Sequence, residues 1–270
     1  MRERLQRRDL LFMVETLMPG VDDREDAAAR IQADERTIEA TLDDDRLFRR
    51  LMTGEEALLQ VSPWLLFTVL LRRARRDLDL AAFTVERRDR LKVSLFDTDR
   101  VIQLLDHGPL RDYLAAMLAS FTRIESVTVP VRVRKGIWRR YRINDLDVEG
   151  LMRYCQAVDE PFRFGPYKRI ADACLFLAGM FPEYIDAQHR YPLSRRVRPR
   201  MRGRTLTSLE DYEAHGRAFY QLAAEHERAR MERLDDVLST LSDNFILAEK
   251  PLDFLANRYL RFARHRLFEL

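Results

Sequence analysis

The chain has 270 residues, 46% apolar and 34% charged, with 47 basic and 44 acidic side chains for a net charge of +3. That balance excludes a disordered or collagen-like chain, because nine Gly and ten Pro are few and the apolar content can fill one large core or two small ones. Cys155 and Cys174 are too few for a disulfide framework and form no CxxC pair, so free buried thiols in a reducing compartment are expected.

In chain order, residues 1–57 predict two or three short helices, with Ile38, Leu42, Leu47 and Leu51 near helical spacing. Ser62 followed by Pro63 predicts a helix start: the hydroxyl caps, and proline at the first position has no amide to leave unpaired. The helix from Trp64 to about Leu80 should be a core helix whose "RRARRD" end is solvated, cations suiting the C-terminal end of the dipole. Residues 81–97 fit no single pattern. "DTDRVIQLLDHG" then predicts a helix ending at Gly108, and Pro109 opens the next.

The stretch "VTVPVRVRKGIWRRYRI" alternates with a period of two and predicts a β-hairpin at about residues 127–143. A three-residue loop, Arg134-Lys135-Gly136, would pair Val133 with Ile137, Val129 with Tyr141 and Val127 with Ile143. The opposite face would collect Arg132, Trp138, Arg140 and Arg142, while Arg139 falls among the apolar positions. Two helices follow, the second lined by Ala171, Ala173, Cys174, Ala178 and Gly179, small enough to let a neighbouring helix come close. Residues 190–204, "RYPLSRRVRPRMRGR", hold seven arginines, two prolines and no acid, and read as a loop or extended arm. A capping signal at Thr207 or Ser208, with Glu210 or Asp211 three residues on, opens two amphipathic helices, and Pro251 opens the last helix. The expected fold is mainly α, an orthogonal multi-helix array with one central β-hairpin. Its regions are 1–126, 127–204 and 205–270, as one continuous domain or two closely packed.

The segments "LLQVSPWLLFTVLLRRARRDL", "LASFTRIESVTVPVRVRKG", "YKRIADACLFLAGMFPEYI" and "LEDYEAHGRAFYQLAAE" resemble a family of uncharacterised bacterial proteins. The resemblance covers most of the chain from about residue 40. It implies a mostly helical protein of the bacterial cytosol and brings no activity, ligand or catalytic residue.

Charge is segregated along the chain. Residues 127–204 hold 17 basic and 8 acidic residues, net +9, whereas 1–50 and 205–270 are each net −3. A phosphate backbone favours such a block, because neutralised phosphates release counterions. The candidate contacts are Arg132, Arg134, Lys135, Arg140 and Arg142 of the hairpin, with Trp138 able to stack on bases, and Arg195, Arg196, Arg198, Arg200 and Arg202 of the arm. The helix before the hairpin, with only Arg111 and Arg123 as cations, would make a poor reader of base edges, so contacts to DNA or RNA should be weakly sequence-specific. The competing reading is a helical protein–protein adaptor working through residues 207 onward, or a basic block that docks an acidic protein partner.

No constellation for catalysis emerges. His107, His189, His215, His226 and His265 form no HExxH or ExxH pair, and no glycine-rich phosphate loop or GxSxG is present. The run Asp43-Asp44-Asp45 is expected to cap a helix or face solvent, and neither a metal nor a cofactor is anticipated. The longest near-continuous apolar run, residues 58–71, has 14 residues against the roughly 20 a membrane span needs. "LLFMV" near the N-terminus is too short for a signal peptide, so a cytoplasmic location away from membranes is expected.

Overall fold

The computed structural model describes residues 2–86, 92–123, 126–134, 137–185, 206 and 208–268. The chain forms two compact units, one of residues 1–122 with 257–270 and the other of residues 123–256.

The main helices of the first unit before residue 123 are α1 (Arg7–Leu17), α2 (Arg24–Ala33), α3 (Glu35–Leu42), α4 (Asp45–Met52), α5 (Glu55–Gln60), α6 (Pro63–Glu86), α7 (Lys92–Asp106) and α8 (Gly108–Ser120). The short N-terminal helices are cut by their own caps. Asp23, Asp34 and Asp44 each accept from backbone amides at the start of α2, α3 and α4. The long helix α6 packs against α7 and α8, and its first half is buried nearly all round, from Leu65 to Leu71. Its start is held from a distance. Ser62 Oγ accepts from the Leu65 amide (3.1 Å) and donates to Asp9 Oδ2 (2.7 Å), and the Ser62 amide donates to Asp9 Oδ1 (2.6 Å). Asp9 is wholly buried on α1, so one carboxylate ties the first helix to the core helix. The segment from Asn257 closes this unit: Phe268 stacks on Phe67 with ring centroids 5.6 Å apart, and the Tyr259 hydroxyl donates to Asp77 (2.8 Å).

The second unit begins with strands β1 (Ser126–Arg134) and β2 (Ile137–Asn144), followed by α9 (Val148–Ala157) and α10 (Phe164–Met180). Later in this unit come α11 (Leu209–Glu225), α12 (Glu227–Met231), α13 (Asp235–Asp243) and α14 (Phe245–Phe254). Helix α10 is its axis, buried without interruption from Ile170 to Met180, and it packs on α9, α11 and α14. The small residues along it do what their size suggests. Cys174 lies against Gly216 of α11 and Gly179 against Leu252 of α14, where a side chain larger than hydrogen would collide. The one acid buried in α10, Asp172, accepts from Lys168 (2.7 Å) and from the Tyr220 hydroxyl (2.9 Å). A capping box at Ser208 and Asp211 starts α11.

The expected fold class is corrected here. The fold is helical, and no β-hairpin stands at its centre. Among the described residues the two strands bond only to each other, as a ribbon at the start of the second unit that leans on α9 and joins no larger sheet. A single pair of strands with no further strand to pack on contributes no layer to a core. The register differs as well. Val127 faces Ile143, Val129 faces Tyr141 and Val131 faces Arg139, but an irregularity between Arg132 and Arg134 sets Arg134, not Val133, opposite Ile137. Arg134 therefore belongs to the strand rather than the turn, and Lys135 and Gly136 lie outside the described residues. Two helix expectations also change: α6 runs on to Glu86 instead of ending near Leu80, and Pro251 sits inside α14 instead of opening a helix. The arm at 190–204 lies outside the described residues.

Candidate nucleic-acid interface

The ribbon brings the hairpin candidates into one register. Arg142 pairs with Thr128, Arg140 with Pro130, and Trp138 with Arg132, and directly paired residues lie on the same face of an antiparallel ribbon. The two side chains described at these positions, Thr128 and Arg140, are both exposed. Between Ser126 and Asn144 there are six basic residues and no acid. Arg140 has no ion pair among the described residues. The irregularity at Val133 moves Arg134 out of this alternation, because one extra residue in a strand turns the residues beyond it to the other face. Lys135, Arg195, Arg196, Arg198, Arg200 and Arg202 lie outside the described residues.

The second arginine-rich stretch has a different fate. Arg72, Arg73, Arg75 and Arg76 of α6 are not a solvated helix end but the cation half of an ion-pair network. Arg72, 2% exposed in its side chain, bridges Glu39 (2.5 Å) and Asp43 (2.9 Å) of the α3 end. Arg73 reaches Asp45 (2.8 Å) and Asp77 (2.8 Å), Arg75 reaches Asp106 (2.7 Å), and Arg76 reaches Asp45 (3.1 Å). The acid run 43–45 is thereby explained: Asp44 caps α4 while its neighbours pair with α6. An arginine cluster already matched by carboxylates has little field left for a phosphate, so α6 is set aside as a nucleic-acid surface.

Among the described residues no assembly for chemistry stands out elsewhere. The Cys174 thiol is pushed up by complete burial, and Cys155 is raised to about 11 mainly by burial, so neither is a nucleophile at neutral pH. A shallow, open concavity of about 460 Å³ is lined by Pro161, His226, Glu227, Arg228, Met231 and Glu232. Three of its polar side chains are already engaged: Arg228 with Glu232 (2.7 Å), and the His226 ring with the Glu160 carbonyl (3.3 Å) and the Arg228 amide (3.1 Å). Among the described residues no three His, Cys, Asp or Glu side chains stand close enough to hold a metal ion. Nor is any helix among them long and apolar enough to cross a membrane.

One acid titrates in an unusual range. Burial, reinforced by the charge of Glu213 and only partly opposed by Arg217, raises Glu249 to about 8. Its Oε1 is buried with no hydrogen-bond partner among the described residues. A carboxyl raised in the folded state holds a proton that the unfolded chain gives up near its ordinary value. Its contribution is therefore complete below about pH 4.5 and lost as the pH rises through about 8. Glu249→Gln should match the wild type in melting temperature near pH 5 and exceed it at pH 8.5. Tenfold in proton affinity between the folded and unfolded chains corresponds to about 1.4 kcal/mol, and partial exposure of the side chain should reduce the gain to about 1–2 kcal/mol. An equal difference between the two proteins at both pH values would show that Glu249 does not titrate in this range.

Comparison with known proteins adds no relative: no family model, no curated protein and no solved structure matches this chain.

Proposed function

We propose that this protein binds nucleic acid in the bacterial cytosol through contacts to the phosphate backbone, with little dependence on sequence. Arg132, Arg140 and Arg142 of the ribbon are the principal contacts, with Trp138 beside them. The arm arginines Arg195, Arg196, Arg198, Arg200 and Arg202 supply further charge. The observation that carries this reading is the acid-free ribbon, whose register gathers three arginines at positions where the described side chains face water. Such a surface suits backbone contact, in which guanidinium groups fork onto phosphate oxygens and displaced counterions drive association.

The test is fluorescence anisotropy with labelled single-stranded DNA, duplex DNA and RNA at about 50 and 200 mM salt, the range over which phosphate-driven binding falls steeply. Arg132→Ala/Arg140→Ala/Arg142→Ala should weaken binding to every sequence. It should also lower the slope of log affinity against log salt by roughly 0.9 for each lost duplex contact. Absence of wild-type binding to all three probes at low salt would end this reading. A protein–protein adaptor is the alternative, favoured by Leu222, Met231 and Ile246, which are 42%, 77% and 42% exposed on α11, α12 and α14. It would then be pursued through those residues.

A further inference from the structure

The C-terminal segment of the first unit holds an exposed aromatic ring among cations. Phe262 is 88% exposed, and the guanidinium of Arg261 lies over its ring, 5.6 Å from the centroid. Between Asp253 and Glu269 the chain carries Arg258, Arg261, Arg264, His265 and Arg266 and no acid. Two neighbouring large apolar side chains turn inward: Leu260 and Phe268 are fully buried, and Phe268 is stacked on Phe67. Arg258 is held by Asp77 at 3.7 Å, whereas Arg261 makes no ion pair among the described residues.

These facts narrow the chemistry of what the ring could meet. A lipid surface selects a broad apolar face with several residues to insert, and among the described residues of this segment Phe262 is the one large apolar side chain that is strongly exposed. A ring with a cation beside it instead matches a ligand that offers a flat π-face next to a negative charge. An unpaired nucleotide has that form, its base stacking on aromatic side chains and its phosphate attracting arginine. We infer that Phe262 and Arg261 form a stacking site for single-stranded nucleic acid, the ring taking a base and the guanidinium the adjoining phosphate. The inference rests on the nucleic-acid reading above and adds to it a preference for unpaired bases.

The experiment compares the full-length wild type, Phe262→Ala, Phe262→Trp and the ribbon triple variant. Probes are labelled oligothymidylate, a duplex of the same length, and vesicles containing anionic lipid. At 88% exposure the ring contributes little to the core, so Phe262→Ala should fold as the wild type does. Its affinity for oligothymidylate should fall roughly 5- to 100-fold, the range for one stacked base. The salt slope should hold, since no charge is removed, duplex binding should not change, and Phe262→Trp should restore the affinity. Wild-type affinity of Phe262→Ala for the single strand, with binding still lost in the ribbon variant, would overturn the stacking site and leave the nucleic-acid reading intact. Absence of binding by the wild type to either nucleic acid would overturn both. Binding to vesicles that Phe262→Ala abolishes, with oligothymidylate binding unaffected, would also overturn the stacking site and assign the ring to lipid.

Discussion

Asp9→Ala should lower stability by about 2–5 kcal/mol, because it leaves two buried donors unsatisfied at about 1–3 kcal/mol each. The wild-type carboxylate is wholly buried and accepts from the Ser62 amide (2.6 Å), the Ser62 hydroxyl (2.7 Å) and the Gln6 amide (2.9 Å). Alanine leaves two of these donors, both on the buried Ser62, with nothing to bond and no route to water. It also loosens the cap of α6, because Ser62 Oγ is the group that accepts from the Leu65 amide. Asp9→Asn should cost less, since an amide can still accept from the Ser62 backbone. Ser62→Ala should cost only about 1–2 kcal/mol, as for a lost helix cap. Urea titration of the four proteins checks this order, and the double variant should be less destabilised than the sum of the singles, the two residues sharing their bonds. If Asp9→Ala lies within about 1 kcal/mol of wild type, well short of the cost of two unsatisfied buried donors, the carboxylate is not what joins α1 to α6.

The same pair shows where sequence reasoning reaches its limit. Ser62-Pro63 announces a helix start in two adjacent residues, because cap chemistry is local. Asp9 is 53 residues away, and an acid in the first turn of an amphipathic helix looks like any solvated partner of the dipole. The α6 arginines are unreadable for the same reason, since a run of cations at helical spacing looks identical whether water or Glu39, Asp43 and Asp45 faces it. The ribbon is intermediate. Period-two alternation locates its same-face positions, but the irregularity before Arg134 leaves no local mark and shifts one candidate contact. Phe262 escapes a reading of the sequence because exposure is not a property of a residue's neighbours in the chain: Phe268, six residues on in the same basic stretch, is fully buried. Pro251 misleads because proline signals a helix start more often than it tolerates a helix interior.

Gly216→Ala should be the second severe variant, and its size follows from three helices meeting at one point. Gly216 lies on α11 where α10 and α14 both press against it. A methyl there would overlap the Phe245 ring edge and come within 3.1 Å of Cys174 Cβ. Neither neighbour can yield cheaply, because Phe245 and Cys174 are both 0% exposed and sit in a close-packed interior. Alanine favours the helical conformation over glycine by about 1 kcal/mol, so the collision must exceed that gain before it registers. Overpacking in such a site costs about 1–3 kcal/mol and more where the backbone has to move. With backbone movement between α10, α11 and α14 required, a net loss of about 2–3 kcal/mol is expected, which in a protein of this size lowers the melting temperature by roughly 4–12 °C. Phe245→Leu in the same chain should recover part of the loss by removing the ring edge that the methyl strikes, although Phe245→Leu alone is destabilising. Opposite signs for one substitution in two backgrounds would identify the clash itself as the cause. If Phe245→Leu is equally harmful in both, the glycine provides something other than space between α11 and α14.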